Sequence, residues 1–334
     1  MKYARQLSRL AWLIILLATL NAGISAEEFM LGADISWIPE QEAKGRKFQD
    51  GAQAKDIFTI VKEHQFNWIR LRLFNNPRAT TNGYSVQGFC DLDNTRKMAK
   101  RIQQAGLKFL LDFHYSDTWA DPGHQYKPAA WKELPMDQLT KAVREYTRDT
   151  IRSLAAAGTP PQMVQVGNEI SNGMLWPDGK ITRFDQLAEL FKAGAAGVRE
   201  ADPKIKVMLH LALGGDNAKS RWFLDQARQR GVEFDILGQS YYPKWHGTPN
   251  DLRTNLTDLA GRYPWPIIVV EYSEHKREVN SIVQALPNGK GQGTFIWEPT
   301  EWGEALFKKD GQALPSLELY PELARSFKTT PRTR

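Results

Sequence analysis

The sequence Ile267-Ile-Val-Val-Glu271 places four β-branched apolar residues directly before a carboxylate. A short, continuous apolar run of this kind is typical of a strand buried on both faces, as the strands of parallel sheets are. Seven further runs occur along the chain, at residues 29–35, 68–73, 108–113, 163–166, 206–211, 235–239 and 294–297. Together with residues 267–270 they predict eight strands.

Amphipathic helical patterns lie between these runs. The clearest begins at Asp137, which can cap a helix, and stops at Gly158; others begin near Asp93, Asp185 and Asn217. Eight strand–helix units in about 308 residues average roughly 38 residues each, which predicts a single-domain (β/α)8 TIM barrel of the α/β class. An open, doubly wound sheet is disfavoured because no Gly-x-Gly-x-x-Gly motif follows the first run.

The N-terminus predicts export. Three basic residues precede an apolar stretch at residues 10–20, and small residues follow as far as Ala26. This is the layout of a secretory signal peptide, and the stretch is short for an uncleaved membrane anchor. We therefore expect a signal peptide at 1–26, a barrel domain at 27–334, a secreted or periplasmic location, and no membrane association after cleavage.

Composition narrows the classes of function. The net charge of +6 falls to +3 without residues 1–26, which hold three basic residues and no acidic one. The remaining basic residues are interleaved with acidic ones, so the sequence does not support nucleic-acid binding. The 11 Trp and 10 Tyr could supply stacking surfaces for sugars, although most aromatic residues fill cores. Cys90 is the single cysteine, so no intrachain disulfide is possible.

Carboxylates follow two of the predicted strands on opposite sides of the barrel. Glu169 comes after the fourth run and is preceded by Asn168, and Glu271 ends the seventh run. The chemistry of such barrels lies at the carboxyl ends of the strands. Glycosidic cleavage needs two facing carboxylates, one to protonate the leaving oxygen and one to attack or to activate water. Glu298 is a third carboxylate at this rim, but its place before Pro299 favours a turn-facing structural role.

Other side chains at the same rim are candidates for substrate binding. Asn168 is expected to hydrogen-bond a sugar hydroxyl, while Tyr241, Tyr242 or Arg72 would donate to the nucleophile. His114 either binds substrate or anchors its loop, and the sequence lacks a His-x-His or His-Glu-x-x-His motif for a metal. The residues predicted to contact substrate or to orient those that do are Asp34, Arg72, His114, Asp117, Trp119, Asn168, His210, Tyr241, Tyr242, Trp245 and Trp297.

Longer motifs at this rim are Gly32-Ala-Asp-Ile-Ser36, Trp68-Ile-Arg-Leu-Arg72, Asp112-Phe-His-Tyr-Ser-Asp-Thr-Trp-Ala-Asp-Pro122, Lys127-Pro-Ala-Ala-Trp131, Val166-Gly-Asn-Glu169, Ser240-Tyr-Tyr-Pro243 and Trp297-Glu-Pro299. In these motifs the chain resembles glycoside hydrolase family 53, the endo-β-1,4-galactanases, over residues 29–307. The resemblance implies that Glu169 is the acid/base and Glu271 the nucleophile. It further implies β-1,4-galactan as the substrate and retention of configuration through a covalent galactosyl-enzyme.

One departure from the family concerns metal binding. Some members carry calcium in a long loop after the seventh strand, whereas residues 272–292 are short and lack a dense array of Asp and Asn. We therefore expect no metal. Separately, we expect no cofactor and a monomer. Two alternatives stay open: a related retaining glycanase acting on mannan or cellulose, and a non-catalytic periplasmic sugar-binding protein. The second is disfavoured because such proteins usually have two lobes around a hinge.

Overall fold

The computed structural model describes residues 28–80 and 85–329, so the predicted signal peptide lies outside the described residues. Eight parallel strands close into a barrel in which each strand pairs with its neighbours in chain order, and β1 pairs with β8. They are β1 Met30–Asp34, β2 Trp68–Leu73, β3 Lys108–Phe113, β4 Met163–Val166, β5 Lys206–Leu211, β6 Ile236–Tyr241, β7 Ile267–Tyr272 and β8 Gly291–Trp297. The predicted TIM barrel is therefore confirmed.

Helices surround the barrel. In the described part of the chain they are α1 Ile38–Ala43, α2 Ile57–Glu63, α3 Leu92–Gln104, α4 Met136–Ala156, α5 Phe184–Ala201, α6 Asn217–Gln229, α7 Pro243–His246, α8 Pro249–Arg262, α9 Lys276–Gln284 and α10 Leu319–Thr329. The expectation that Asp137 caps α4 was wrong. Pro135 precedes the helix, and Asp137 lies within the first turn. There its negative charge interacts favourably with the positive end of the helix dipole.

The alternation of side chains along each strand separates two cores. Along β3, Leu110 faces the barrel interior, while Phe109 and Leu111 pack against the helices. The same alternation continues upward, so residues two positions beyond an interior apolar residue face the interior at the carboxyl end of the barrel. The apolar interior at the amino end is formed by Met30, Trp68, Leu110, Met163, Met208, Ile236, Ile268, Val270 and Phe295.

An irregularity in β7 departs from this alternation. Val270 belongs to the interior cluster, and Glu271 nevertheless lines the same interior at its open end. The pairing register shifts between β7 and both of its neighbours at this point, as it does at a β-bulge. The shift turns Glu271 inward, and Tyr272 then packs in the outer core.

No helix of residues 28–80 or 85–329 is long and apolar enough to cross a membrane.

Candidate active site

A cleft of about 800 Å³ opens at the carboxyl ends of the strands. Glu169 and Glu271 lie on its floor, 9% and 6% exposed. One carboxylate oxygen of each residue lies within 4.8 Å of the other. The aromatic side chains that line the cleft are Trp37, Trp119, Tyr242, Trp245, Trp297 and Trp302. The cleft thus brings two carboxylates together beneath flat surfaces that suit sugar rings.

Glu169 is held by both its backbone and its side chain. Its φ of 49° is left-handed, directly after Gly167 with a φ of 81° and then Asn168. The Ser240 hydroxyl donates a 2.7 Å hydrogen bond to Glu169 Oε1. Burial and the charge of Glu271 raise the pKa of Glu169 to about 8, although the Ser240 bond opposes this rise. The raised pKa favours the protonated form of Glu169, which is the form that a general acid needs.

Glu271 has different partners. An Arg70 Nη1 lies 2.7 Å from Oε1, and the Tyr242 hydroxyl donates to Oε2 at 3.0 Å. Burial raises the pKa of Glu271, while the charge and hydrogen bond of Arg70 oppose that rise. Both partners favour the ionised form of Glu271, whereas Glu169 accepts only from the Ser240 hydroxyl, so the two carboxylates have unlike surroundings.

Arg70 is the centre of the charged network beneath the cleft, and it is 1% exposed. In addition to Glu271 it bonds Asp34 Oδ2 at 2.9 Å and Asp112 Oδ2 at 2.8 Å. Burial disfavours its charge, but Asp112, Glu271 and Asp34 together raise the pKa of Arg70 above its usual value. Its Nη2 also donates to Asn168 Oδ1 at 2.9 Å, which orients the residue before Glu169.

The expectation that Arg72 contacts the nucleophile was wrong. Arg72 ion-pairs with Asp34 at 3.0 Å and with Glu298 instead. Its guanidinium lies 4.6 Å from the ring centroid of Trp119 and 5.6 Å from those of Trp37 and Trp297. Arg72 therefore holds three indoles of the cleft in place. Arg70, two residues earlier, makes the contact with Glu271 that was expected of Arg72.

Glu298 is also placed differently from the expectation of a turn-facing residue. It is fully buried, and its Oε1 accepts the backbone N–H of Trp37 at 3.0 Å. Burial, with the nearby charge of Asp34, raises the pKa of Glu298 to about 8, while Arg72 opposes the rise. Glu298 serves as a buried support for Arg72 and Trp37 and does not line the cleft.

Four of the predicted substrate contacts do not line the cleft. Tyr241 faces the outer core, where its hydroxyl donates to Gly247 O at 3.0 Å, because it alternates with Ser240 and Tyr242. Asp34 is fully buried between the two arginines. Asp117 and His210 are the other two residues of this group. All four support the residues that line the cleft.

Asp117 and His114 position the loop after β3. Asp117 accepts the backbone N–H groups of Asn76 at 2.9 Å and Ala129 at 2.8 Å. His114 lines the cleft, and its Nδ1 accepts the backbone N–H of Ala120 at 3.0 Å. Asp117 thus orients the loop and does not line the cleft, and His114 anchors its loop while it faces the cleft.

The remaining predicted contacts lie in the cleft. Asn168, Trp119, Trp245 and Trp297 all line it, and Trp245 is 63% exposed at its mouth. Asn168 Nδ2 donates to Ala120 O at 2.7 Å, so its amide is oriented by both Ala120 and Arg70. These positions are compatible with contact to substrate, and their roles remain predictions.

Sequence reasoning assigned no role to Arg70, Gln165, Ser240, Trp37 or Trp302. The first three could have been found from the alternation of side chains along a strand. Each lies an even number of residues, two or four, beyond an interior apolar residue of its own strand; these apolar residues are Trp68, Met163 and Ile236 respectively. Trp37 and Trp302 lie beyond the strand ends, where no periodic pattern applies.

The side chains of Glu169, His210 and Glu271 form one group in the described residues that could hold a cation. Both ring nitrogens of His210 already have partners, Ser240 Oγ at 2.8 Å and the Glu169 backbone N–H at 3.3 Å. The prediction of no metal stays a prediction.

A closed (β/α)8 barrel with two differently supported carboxylates in an aromatic cleft defines a glycoside hydrolase. A sequence profile of glycosyl hydrolase family 53 matches residues 30–279, and the chain belongs to this family.

The chain is also similar to several known proteins. An uncharacterized protein of Niallia circulans is 41% identical over 318 residues, which cover 83% of this chain and 85% of that protein. The arabinogalactan endo-β-1,4-galactanase A of Aspergillus niger is 35% identical over 266 residues, 77% of this chain and 74% of that protein. The solved family 53 catalytic domain of Ignisphaera aggregans is 32% identical, with a TM-score of 0.79, and covers 90% of this chain and 98% of that domain.

Proposed function

We propose that this chain is a secreted endo-β-1,4-galactanase that hydrolyses internal bonds of galactan with retention of anomeric configuration. The observation that carries the proposal is the pairing of Glu169 with Glu271 across the cleft, with unlike hydrogen-bond partners. The substrate is supported by family membership and by the named activity of the Aspergillus niger relative.

The first step forms a galactosyl-enzyme. Glu271 attacks the anomeric carbon while Glu169 gives its proton to the glycosidic oxygen, which leaves as the hydroxyl of the departing chain. In the second step Glu169, now a carboxylate, takes a proton from water, and the resulting hydroxide displaces Glu271. Retaining enzymes need carboxyl groups about 5–5.5 Å apart, whereas inverting enzymes need roughly 6.5–9.5 Å for an intervening water. The 4.8 Å limit on the nearest oxygens supports the retaining route.

The shape of the cleft supports internal cleavage. The exposed Trp245 lies at its mouth, and Trp302, 44% exposed, lines it as well. Trp302 contacts Trp297, with ring centroids 5.2 Å apart. A chain can therefore contact indoles beyond the two sugars at the cleavage point, which is what an enzyme acting within a polymer requires.

The activity is tested by incubating the mature chain with purified β-1,4-galactan and sizing the products. Short galacto-oligosaccharides are expected, first as β-anomers in proton NMR spectra. Mannan and cellulose should not be cleaved. Activity on mannan but not on galactan would favour the related glycanase, and no activity on any glycan would favour a binding protein.

Variants separate catalysis from folding in the same assay. Glu169→Gln and Glu271→Gln should each nearly abolish hydrolysis while leaving the thermal unfolding cooperative. The matched control is Glu278→Gln, because the Glu278 side chain is 58% exposed and pairs only with His275 at 2.8 Å among the ion pairs of the described chain. Wild-type turnover by either active-site variant contradicts the assignment.

Export rests on the layout of residues 1–26. Expression of the full chain in a secreting host, followed by N-terminal sequencing of the exported protein, is expected to give a first residue at position 27. An exported protein that begins at Met1 contradicts the proposed signal peptide.

A further inference from the structure

Behind Glu169 lies a buried chain of hydrogen bonds that the two-carboxylate reaction does not itself require. Ser240 Oγ contacts Glu169 Oε1 at 2.7 Å, and His210 Nε2 contacts Ser240 Oγ at 2.8 Å. Ser240 and His210 are both fully buried, and neither lines the cleft. They therefore act on Glu169 and not directly on substrate.

The direction of these bonds follows from the other side of the imidazole. The backbone N–H of Glu169 points at His210 Nδ1 at 3.3 Å, and Gln165 Nε2 lies 2.9 Å from the same atom. A backbone N–H can only donate, so Nδ1 is an acceptor and the ring proton resides on Nε2. Nε2–H then donates to Ser240 Oγ, and the Ser240 hydroxyl hydrogen is left to donate to Glu169.

A second arrangement would reverse the chain. Asn168 Oδ1 lies 3.1 Å from His210 Nδ1, and it would accept a proton carried there. That oxygen already accepts from Arg70 Nη2 at 2.9 Å, while the Glu169 N–H would lose its acceptor. Two donors against one acceptor at Nδ1 favour the first arrangement.

The charges around the chain keep the imidazole neutral. Burial, followed by the positive charge of Arg70, holds the pKa of His210 well below its usual value, although Asp112 opposes this. The ionisable groups that act on Glu169 from neighbouring elements are Glu271 from β7, Asp121 from the loop after β3 and Arg70 from β2, and Tyr242 follows β6. None of them contacts Oε1 in place of Ser240.

We propose that Ser240 and His210 form a one-way hydrogen-bond chain that reserves Glu169 Oε1 as an acceptor and thereby assigns the transferred proton to Oε2. This inference rests on the proposed acid/base role of Glu169. In the first step Oε2–H protonates the leaving oxygen, and in the second step Oε2 receives the proton from water. Ser240 and His210 keep their own protons in both steps, so they are positioning residues.

The same imidazole also controls the backbone of Glu169. The left-handed conformation at this residue is uncommon for a side chain other than glycine and needs external support. By accepting the Glu169 N–H at Nδ1 and donating to Ser240 at Nε2, His210 bonds the backbone directly and the carboxylate through Ser240. One residue thereby fixes both the main chain and the reacting group.

The pH profile of Ser240→Ala tests the chain. A donor to the carboxylate stabilises its charged form, so loss of the hydroxyl should raise the pKa of Glu169. We expect the alkaline limb of kcat/KM on galactan to move upward by about one pH unit. Ser240→Thr keeps a hydroxyl and should restore the limb. Ser220→Ala is the matched control, because Ser220 is equally buried but does not contact Glu169; its hydroxyl donates to Leu213 O at 3.2 Å.

A merely structural role for Ser240 predicts lower stability with an unmoved alkaline limb, and that result overturns the inference. The His210 tautomer, read from long-range proton–nitrogen NMR of the wild-type protein, tests the chain without any variant. Protonation at Nε2 between pH 5 and 9 is expected, and protonation at Nδ1 overturns the proposal. Because this measurement needs no substrate, its failure is distinguishable from a failure to hydrolyse galactan.

Discussion

Tyr242→Phe is the perturbation that most sharply separates the two carboxylates. The Tyr242 hydroxyl donates to Glu271 Oε2 at 3.0 Å, and both side chains are largely buried on the floor of the cleft. Burial and the charge of Glu271 hold the pKa of Tyr242 well above its usual value, so this hydroxyl is a donor throughout the working range. Phenylalanine removes the donor and keeps the ring.

The magnitude follows from the charge on the acceptor. A hydrogen bond to an ionised group contributes about 1.5–3 kcal/mol. At about 1.4 kcal/mol per pKa unit, its loss should raise the pKa of Glu271 by roughly one to two units. Because Glu271 must be ionised to attack, the acid limb of kcat/KM should move to higher pH by that amount. Below the shifted limb the rate should fall at least tenfold.

The assay is the initial rate of reducing-end release from galactan, measured as kcat/KM from pH 3 to pH 9. Tyr241→Phe is the matched control, since its hydroxyl donates to Gly247 O in the outer core. That variant should lose about 0.5–1.5 kcal/mol of stability without moving the acid limb. An unmoved limb in Tyr242→Phe, or an equal shift in the Tyr241 control, would refute the assignment of Glu271 as the charged partner.

Three further substitutions test the support of the site. Arg70→Met leaves buried carboxylates without their cation, so calorimetry should show a free energy of unfolding lower by about 3–5 kcal/mol. The control is Arg78→Met, which should change the free energy of unfolding by less than about 0.5 kcal/mol because the Arg78 side chain is 59% exposed. Trp245→Ala should raise KM for galactan roughly 5–10-fold with kcat unchanged, and a fall in kcat instead would place this indole at the reacting sugar. Gly32→Ala puts a Cβ 2.2 Å from the Phe295 ring, so chemical denaturation should show a loss of about 1–3 kcal/mol, and an unchanged midpoint would contradict the packing described for the barrel interior.

The barrel could be predicted from sequence because its strands are continuous apolar runs. The runs at residues 68–73 and 108–113 have the same bounds as β2 and β3. β6 and β7 extend beyond the predicted runs because polar residues such as Ser240 and Glu271 continue the strand at the cleft. The apolar runs end where the polar residues of the site begin. They therefore locate the floor of the cleft more reliably than they locate the ends of the strands.

Within the site, the position of a residue along its strand was predictable from the sequence, but the partner that its side chain reaches was not. Glu169 and Glu271 were found because each follows an apolar run. Arg70 and Arg72 both face the interior, and only the three-dimensional arrangement decides which of them reaches Glu271 and which reaches Glu298. The bulge that turns Glu271 inward likewise depends on the register of three strands, which a single sequence does not encode locally.

The identity of the nucleophile is the central claim, and trapping the galactosyl-enzyme tests it most directly. One carboxylate should attack the anomeric carbon of an activated 2-deoxy-2-fluoro-β-galactoside, expel its leaving group and form a stable glycosyl ester. Mass spectrometry of the protease digest then identifies the peptide that carries the sugar. The two-carboxylate arrangement predicts a single label on Glu271, formed faster in wild type than in Tyr242→Phe at low pH. A label on Glu169, or a stable enzyme with turnover on galactan and no label on either residue, contradicts it.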